Sequence, residues 1–541
     1  MIRKVLQSAM ASIAAMSFLA ANPVTTWADH KHSDSDKIIT TTPIKHVVVI
    51  FQENVSFDHY FATYPNATNP NGEPKFIASS HTPSVNNLLS GGLLDENPNS
   101  TQPFRLDRSQ AVTCDQDHNY QDEQAAFNSG LMNLFPEKVG SFSASCPDYG
   151  KKKGIVMGYY DGNTVTAIWN YAQHYAMSDN SYNTTFGPST PGALNLIAGT
   201  TSNATMLPLA ADGKTAGNPK GNLANSMPTG AVIGDPRPGF DNCLTTPVVG
   251  TANKTRITVT GTNVGDLLNH KNVTWGWFQG GFRLTGTNAD GTPACGAVST
   301  GLASPAGTSD YIPHHQPFQY FESTANPNHL PPSDPAAIGK TDQANHQYDL
   351  SDFFTALNEG RLPAVSFLKA KAVQDGHAGY SDPLDEQTFL VQTINAIEQS
   401  PEWKDTAIII AYDDSDGWYD HQMDPVINQS NVQDDALTGP GVCGTTPAGA
   451  VPGRCGYGPR LPLLVISPFA RHNYVDHSIT DQASILRFIE DNWELGRIGG
   501  DSNDAKAGVL DNFFNFNQND SHKLLLDPAT GVVLPQHDWA D

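Results

Sequence analysis

Short, continuous apolar runs separated by long polar stretches limit the fold of this 541-residue chain more than any other feature. Five of these runs have the length of a buried strand rather than of a buried helix. Apolar residues on both faces are typical of strands that are covered on both sides, as in a parallel sheet. The five predicted strands are 45–51, 273–278, 364–368, 406–412 and 461–467.

Helical patterns alternate with the strands, which predicts the α/β class: a three-layer α/β/α arrangement around a mostly parallel central sheet. Stretches rich in Asn, Gly, Pro, Ser and Thr are too long for ordinary connections, so we expect insertions or lids there. We predict one main domain over about 40–500 and a C-terminal extension at 501–541. The predicted helices are 164–175, 190–199, 263–270, 349–358, 384–399 and 479–494. The predicted insertions are 65–112, 200–256, 283–345 and 424–460.

The first 28 residues have the pattern of a secretory signal. Arg3 and Lys4 precede an apolar, small-residue segment at 5–21, and Thr26-Trp-Ala28 resembles a cleavage site. A transmembrane anchor is the alternative, but this segment is at the short end of what spans a bilayer and contains one Gln and three Ser. We therefore expect a secreted or periplasmic protein without stable membrane insertion.

The net charge argues against nucleic acid and anionic membranes as partners. It is −24 for the whole chain, and loss of Arg3 and Lys4 with the signal, which contains no acid, makes it −26. An acidic protein is repelled by phosphate backbones and anionic lipid surfaces.

Six cysteines, an even number without any C-x-x-C pair, predict disulfides rather than a zinc site in a secreted chain. Six cysteines allow 15 connectivities. We predict sequential pairing, Cys114–Cys146, Cys243–Cys295 and Cys443–Cys455.

Carboxylates follow two of the predicted strands directly. Asp413 and Asp414 come after 406–412, and Glu53 and Asn54 come after 45–51. Ligands of open α/β sheets gather at the carboxyl ends of the strands, and these side chains offer hard oxygen donors. The sequence predicts one divalent metal ion, with Ca²⁺, Mg²⁺ or Mn²⁺ favoured on hardness and Zn²⁺ or iron as alternatives.

Ser189 lies between two prolines where a helical segment begins. The free N–H groups of a helix start favour an anion, so this serine is placed to meet a phosphate. The alternative is a serine that only caps the helix.

Four histidines lie in polar loop contexts rather than on apolar faces. Imidazole changes charge near neutral pH and can protonate a leaving oxygen, so these residues suit general-acid work or phosphate binding. Bystander loop histidines are the alternative. The four are His118, His314, His315 and His377.

Several motifs together resemble the bacterial phospholipase C and acid phosphatase (AcpA-type) phosphoesterases, in the same order and within about 45–495. They are the segments 53–61, 187–191, 315–321 and 412–421. The resemblance implies an alkaline-phosphatase-like α/β/α core, one active-site metal and a hydroxyl nucleophile that forms a phosphoryl-enzyme intermediate.

The resemblance also implies roles. Ser189 matches the nucleophile, and the metal ligands are matched by Glu53, Asn54, Asp413 and Asp414. Phosphate binding or leaving-group roles are implied for His118, His315 and His377, with His314 as the rival of His315. His421 ends the acidic motif and is a candidate support for the metal ligands, or else a histidine tied to a neighbouring loop.

Two departures from the phospholipase pattern favour a phosphomonoesterase. Many phospholipases carry Thr-Asp-Pro-Asn-Arg where this chain has Ser189-Thr-Pro-Gly-Ala193, and Asp-Glu where it has Asp413-Asp414. We therefore expect an acid phosphatase-type phosphomonoesterase that acts through a phosphoserine, with activity on the acid side.

Two other functions remain open. A phospholipase C would need an apolar rim and an aromatic cage for a choline-like head group, although such aromatics more often belong to the core. The candidates for that cage are Trp275, Trp277, Phe278, Phe282 and Tyr311. A secreted binding protein that uses the metal only as a structural clamp is the non-enzymatic alternative. The substrate is thus a small phosphate ester or a phospholipid, and the sequence leaves the oligomeric state open.

Overall fold

An eight-stranded sheet lies at the centre of the computed structural model, which describes residues 39–207, 230–243, 256–289, 291, 293–437, 443–444 and 451–535. The predicted signal at 1–28 lies outside these residues. The strands are β1 His46–Gln52, β2 Ala176–Ser178, β3 Trp275–Gln279, β4 Gln347–Asp349, β5 Val365–Lys369, β6 Thr406–Tyr412, β7 Leu463–Ile466 and β8 Tyr474–Asp476.

The sheet order is β4-β3-β5-β1-β6-β7-β2-β8, and β7 alone runs antiparallel to both of its neighbours. β1 and β6 lie at the centre and are buried along their whole length. Mostly parallel strands buried on both faces confirm the predicted α/β class. The five predicted strands are all present, with ends shifted by at most two residues. β2, β4 and β8 were not predicted, because three residues are too few to show a periodic pattern.

Nine α-helices occur in the described part of the chain. They are α1 Phe57–Phe61, α2 Tyr120–Phe127, α3 Phe135–Lys138, α4 Thr166–His174, α5 Ser189–Ala198, α6 Val264–His270, α7 Leu350–Asn358, α8 Pro383–Gln399 and α9 Gln482–Asn492. The six predicted helices correspond to α4 to α9. α5 packs on α9 and α6, whereas α4 packs on α8.

The long insertions contain short strand pairs and 3₁₀ turns, with few apolar residues to form a core of their own. The predicted disulfides are all present. Cys243–Cys295 links the second insertion to the third, Cys443–Cys455 closes a loop within the fourth, and Cys114–Cys146 lies just after the first. Residues 511–535 pack on the main body, where Phe513 and Phe514 are buried and Arg471 donates its backbone N–H to the Phe513 carbonyl.

The minor strands are Phe104–Arg105, Gly158–Tyr159, Ser181–Tyr182, Ala204–Met206, Arg237–Pro238, Arg256–Val259, Gly286–Thr287, Pro293–Ala294, Val298–Ser299, Thr308–Ser309 and Thr480–Asp481. The 3₁₀ turns are Arg108–Gln110, Asn128–Gly130, Lys152–Met157, Pro313–His315, Pro317–Tyr320, Pro335–Ala337, Ala372–Gln374, Pro401–Asp405 and Asp511–Phe513. Among the described residues, none of the helices has the length and apolar character needed to cross a bilayer.

Candidate active site

The register of the two central strands, β1 and β6, brings together the carboxylates that follow them. Gln52 of β1 pairs with Tyr412 of β6 at their carboxyl ends, so Glu53 and Asp413 leave the sheet side by side. The backbone N–H of Asn54 donates to Oδ1 of Asp413 at 3.1 Å. Asn54 adopts φ +58°, a left-handed conformation that Asn tolerates better than most residues.

Three buried carboxylates form the centre of the site. Glu53, Asp413 and Asp414 each place one oxygen so that all three atoms lie within 4.8 Å of one another. Oδ1 of Asn54 and Oδ2 of Asp413 are buried without a hydrogen-bond donor. An unpartnered buried oxygen is costly, and a divalent cation with hard oxygen ligands would satisfy both atoms. The four predicted ligands therefore fit a metal ion.

The pKa values show the same need for positive charge. Burial and the neighbouring Asp413 hold the pKa of Glu53 well above its ordinary value, and the same two causes raise that of Asp414. Burial also acts to raise the pKa of Asp413, but the Lys369 ammonium and hydrogen bonds from its neighbours outweigh it and lower that pKa. Ionising all three carboxylates together thus calls for a cation between them.

Ser189 is the first residue of α5, after Pro188 as the N-cap. Its Oγ lies 3.0 Å from Oε2 of Glu53 and 3.1 Å from Oδ2 of Asp414. The hydroxyl therefore faces the carboxylates and not the helix backbone, so it is not a capping serine in this structure. The nucleophile candidate and the metal-ligand candidates converge on one point.

Gly192 explains how α5 can approach the sheet so closely. A Cβ added at this position would lie 2.1 Å from the backbone carbonyl oxygen of Asp413, far inside van der Waals contact. Any side chain at position 192 would push α5 away from the carboxylates. The glycine that departs from the phospholipase pattern is thus required by the packing of this chain.

Lys369 was missed by the sequence reasoning and lies in the site. It ends β5, with its ammonium in contact with Oε1 of Glu53 and 3.7 Å from Oδ2 of Asp413. Burial acts to lower its pKa, but the Glu53 and Asp413 carboxylates raise it above the ordinary value, so the side chain is charged. Its signal in the sequence was a lysine directly after a buried strand, at the edge where Glu53 follows β1.

His315 contacts the site through Glu53. Its Nδ1 lies 3.0 Å from Oε1 of Glu53, and the ring is buried. Burial, followed by the charge of His314 and Lys369, lowers its pKa well below the ordinary value, so the ring is neutral near pH 7. His314, its rival, packs edge-on against it with ring centroids 4.4 Å apart and has a pKa lowered by burial. Of the two, His315 is the histidine that contacts a candidate ligand.

His118 differs from the other site histidines in its charge. Its Nδ1 lies 2.9 Å from the Gln116 carbonyl oxygen and 3.3 Å from Oδ1 of Asp416. Burial acts to lower its pKa, but the Asp414 and Asp416 carboxylates outweigh burial and raise the pKa well above the ordinary value. His118 is therefore the imidazole best able to carry a proton near neutral pH.

His377 lies next to His118, with ring centroids 5.9 Å apart. Its Nδ1 is 2.6 Å from the Ala378 carbonyl oxygen, and its ring stacks on Tyr380 at 4.4 Å. Burial lowers its pKa, so this ring is neutral near pH 7. Of the four predicted histidines, His315 thus contacts Glu53 and His118 contacts Asp416, while His377 lies beside His118 and His314 beside His315.

His421 lies apart from the candidate ligands. Its Nδ1 is 2.6 Å from Oδ2 of Asp58 in α1, and its Nε2 is 3.1 Å from Oδ1 of Asn86. Arg460 bonds the adjacent Asp420 at 3.0 Å and Asp58 at 3.3 Å. This buried network fastens α1, which follows Glu53 and Asn54, to the end of the acidic motif. The hydrogen bonds of the His421 ring go to Asp58, Asn86 and Arg460 and not to a candidate metal ligand.

A buried serine hydroxyl between carboxylates, with a lysine and histidines of both charge states nearby, is a group of side chains that can carry out nucleophilic and acid–base chemistry. Residues 44–496 match the model of the Phosphoesterase family. The chain therefore belongs to this family.

Curated relatives agree at low identity. The chain is 25% identical over 517 residues to a non-hemolytic phospholipase C of Burkholderia pseudomallei. The matched region covers 92% of this chain but only 62% of the relative. It is 24% identical over 511 residues to phospholipase C A of Mycobacterium tuberculosis, covering 92% of this chain and 82% of the relative. A non-specific phospholipase C6 of Arabidopsis thaliana is 22% identical over 80% of this chain and 63% of the relative.

Among solved structures, a protein in the alkaline phosphatase superfamily from Vibrio parahaemolyticus covers 62% of each chain at 13% identity, with a TM-score of 0.27. A phosphonate monoester hydrolase from Silicibacter pomeroyi covers 65% of this chain and 71% of the other, at 11% identity and a TM-score of 0.27. Both scores are too low to compare the architectures in detail.

Proposed function

We propose that this chain is a metal-dependent phosphomonoesterase of the acid phosphatase type that acts through a phosphoserine at Ser189. The observation that carries the proposal is the position of Oγ, 3.0 Å from Glu53 and 3.1 Å from Asp414 at the start of a helix. A divalent ion held by Glu53, Asn54, Asp413 and Asp414 would lower the pKa of this hydroxyl and neutralise charge on phosphoryl oxygens.

The chain's own residues account for the proton transfers. The Ser189 proton passes to one of the two carboxylates as Oγ attacks phosphorus, and the bond from phosphorus to the ester oxygen breaks. The leaving alkoxide takes a proton from cationic His118. Water then attacks the phosphoserine and gives its proton to the neutral His118, while the bond from phosphorus to Oγ breaks. Oγ takes back its proton from the carboxylic acid, so phosphate leaves and the serine hydroxyl, the carboxylate and the cationic His118 are restored. In this proposal His315 and His377, both neutral near pH 7, orient the phosphoryl group as hydrogen-bond donors.

Charge favours a monoester over a diester. A phosphate monoester carries up to two negative charges near neutral pH and a diester only one, so positive side chains favour the monoester more strongly. Lys369 and His118 provide two such side chains at the carboxylate cluster. The five aromatics considered for a head-group cage are all core residues, at most 2% exposed.

Phospholipase C is the second candidate, since the relatives given above carry that name at 22–25% identity. The three disulfides favour an oxidising compartment outside the cytoplasm for either activity. A metal ion of the Ca²⁺, Mg²⁺ or Mn²⁺ type fits both, because the donors are all oxygen.

One assay separates the two candidates. p-Nitrophenyl phosphate and p-nitrophenyl phosphorylcholine are given to the enzyme and to Ser189→Ala from pH 4 to 9, with divalent metals supplied. A higher kcat/KM for the monoester on the acid side, lost in the variant, supports the proposal. Preference for the phosphorylcholine ester would replace it by phospholipase C, and full activity in Ser189→Ala would reject this serine as the nucleophile.

A further inference from the structure

Glu123 joins the loop that carries Ser189 to the loop that carries Asp414. It lies in α2 and is 1% exposed. Its Oε2 accepts the backbone N–H of Gly187 at 3.1 Å, two residues before Ser189. Its Oε1 accepts the hydroxyl of Ser415 at 2.7 Å, one residue after Asp414. One carboxylate thus spans the two segments whose separation sets the geometry of the site.

The helix that carries Glu123 is itself held firmly. The Tyr120 hydroxyl donates to Oδ1 of Asp435 at 2.7 Å and accepts the backbone N–H of Cys455 at 2.9 Å. Gln124 accepts the backbone N–H groups of Ala436 and Leu437 through its amide oxygen. Side chains on both sides of Glu123 in the sequence are therefore fixed, and the carboxylate acts as a rigid reference point.

The loop that leads into Ser189 needs such an anchor because its backbone has an unusual conformation at Gly187. Gly187 adopts φ +113°, a conformation that non-glycine residues rarely adopt. Its N–H is aimed at Glu123, whereas the backbone N–H of Phe186 is held by the Cys455 carbonyl oxygen at 2.9 Å. Without Glu123 the loop would still be attached through Phe186. The Gly187 N–H would lose its acceptor, so the turn that leads into Ser189 would no longer be held in one orientation.

We propose that Glu123 is a positioning residue that sets the distance between Ser189 and Asp414. The inference rests on the proposed role of Ser189 as the nucleophile. A shift of about 1 Å in a reacting group can lower a rate by about 100-fold, so a carboxylate that holds both loops affects turnover without touching substrate.

The test compares Glu123→Ala and Glu123→Gln with Glu398→Ala, and Ser189→Ala is assayed beside them. Glu398 is a matched control, since it is equally buried and accepts the Tyr175 hydroxyl at 3.0 Å. It lies close before the start of β6, at the amino edge of the sheet and away from the site. The readouts are kcat and KM with p-nitrophenyl phosphate and p-nitrophenyl phosphorylcholine, and the midpoint of thermal unfolding.

We expect Glu123→Ala to lower kcat by about 10- to 100-fold with KM changed less than about threefold. Glu123→Gln should recover part of that loss, because its amide oxygen can still accept the Gly187 N–H. Glu398→Ala should lower the unfolding temperature and leave kcat per folded molecule unchanged.

The outcomes distinguish the positioning role of Glu123 from the proposed role of Ser189 as the nucleophile. If Ser189→Ala is inactive and Glu123→Ala turns over substrate as fast as Glu398→Ala, Glu123 is not a positioning residue and the proposed function stands. If Ser189→Ala retains full activity, both the nucleophile and the positioning role are wrong. Equal kcat in Glu123→Ala and Glu123→Gln, both far below the wild type, would also contradict positioning through the Gly187 N–H.

Discussion

The ammonium of Lys369 contacts Oε1 of Glu53, while the other oxygen of the same carboxylate lies 3.0 Å from the Ser189 hydroxyl. One carboxylate therefore connects a buried cation, a nucleophile candidate and a metal site. The charge of this lysine is placed to influence which phosphate esters react.

Lys369→Met should reduce the preference for monoesters. Removing one positive charge weakens binding of a doubly charged phosphoryl group more than of a singly charged one. The monoester-to-diester ratio of kcat/KM should therefore fall about tenfold. This corresponds to the low end of the about 1.5–3 kcal/mol that a hydrogen bond to a charged group contributes. The two p-nitrophenyl substrates measure this ratio. Lys371→Met is the control, because Lys371 is partly exposed and its ammonium bonds Ser299 at 3.1 Å. An unchanged ratio in Lys369→Met would show that this lysine only supports Glu53.

Removal of the metal should abolish activity and leave the protein folded. Chelation leaves the carboxylates without their cation, but the central sheet and three disulfides do not depend on it. Metal at 100 times its Kd contributes about 2.7 kcal/mol, so the unfolding temperature should drop by a few degrees. Adding back single divalent ions to the chelated enzyme identifies the ion that restores activity.

Variants check the ligand assignment. Elemental analysis should find stoichiometric metal in His421→Gln and little in Asp413→Ala. Complete unfolding on chelation would instead indicate a structural ion.

His118→Asn should change the dependence of activity on pH. The pKa of His118 is raised, so its cation persists above the ordinary value of 6.5 and is lost as the pH rises through the raised pKa. In the wild type, kcat should therefore fall on the alkaline side. In the variant, kcat should be about 100-fold lower and the alkaline fall should disappear, since a general acid contributes about 10²- to 10⁴-fold. An unchanged alkaline limb in His118→Asn would assign the proton to another group.

His421→Gln should destabilise the protein at acid pH more than at alkaline pH. Burial opposes both charges of the His421–Asp58 pair, but their mutual attraction outweighs it, raising the pKa of His421 above 6.5 and lowering that of Asp58 below 3.8. The contribution of His421 to the free energy of unfolding is complete below pH 6.5 and is lost as the pH rises through its raised pKa. The aspartate's contribution is present above pH 3.8 and is lost as the pH falls through its lowered pKa.

The pair should thus stabilise the fold most between about pH 4 and 6.5. Urea unfolding should show a loss of about 1.5 kcal/mol for His421→Gln at pH 5.5, the low end for a hydrogen bond to a charged group, and a smaller loss at pH 9. The control is His472→Gln, an exposed histidine 3.3 Å from Asp520, where both losses should be near zero. Equal losses at the two pH values would show that packing, and not charge, is what His421 contributes.

Local patterns in the sequence were enough to predict the α/β class, the five longer strands and the pairing of the six cysteines. They also singled out Glu53, Asn54, Asp413 and Asp414, because polar residues directly after a buried strand can only lie at the strand's end. The predicted class and strands are confirmed because the patterns that indicate them lie within single segments of the chain. The sequence left open whether the five aromatic candidates for a head-group cage, four of them in or next to β3, belong to the core. Their burial shows that they do.

Only the tertiary structure could decide which distant residues meet. Lys369 reaches Glu53 because β5 pairs with β1, and Glu123 reaches both Gly187 and Ser415 because α2 packs between their loops. The charge state of each histidine likewise depends on partners such as Asp416 for His118. Sequence patterns report the periodicity and the ends of single elements, whereas strand pairing, burial and electrostatic neighbours arise from contacts between residues hundreds of positions apart.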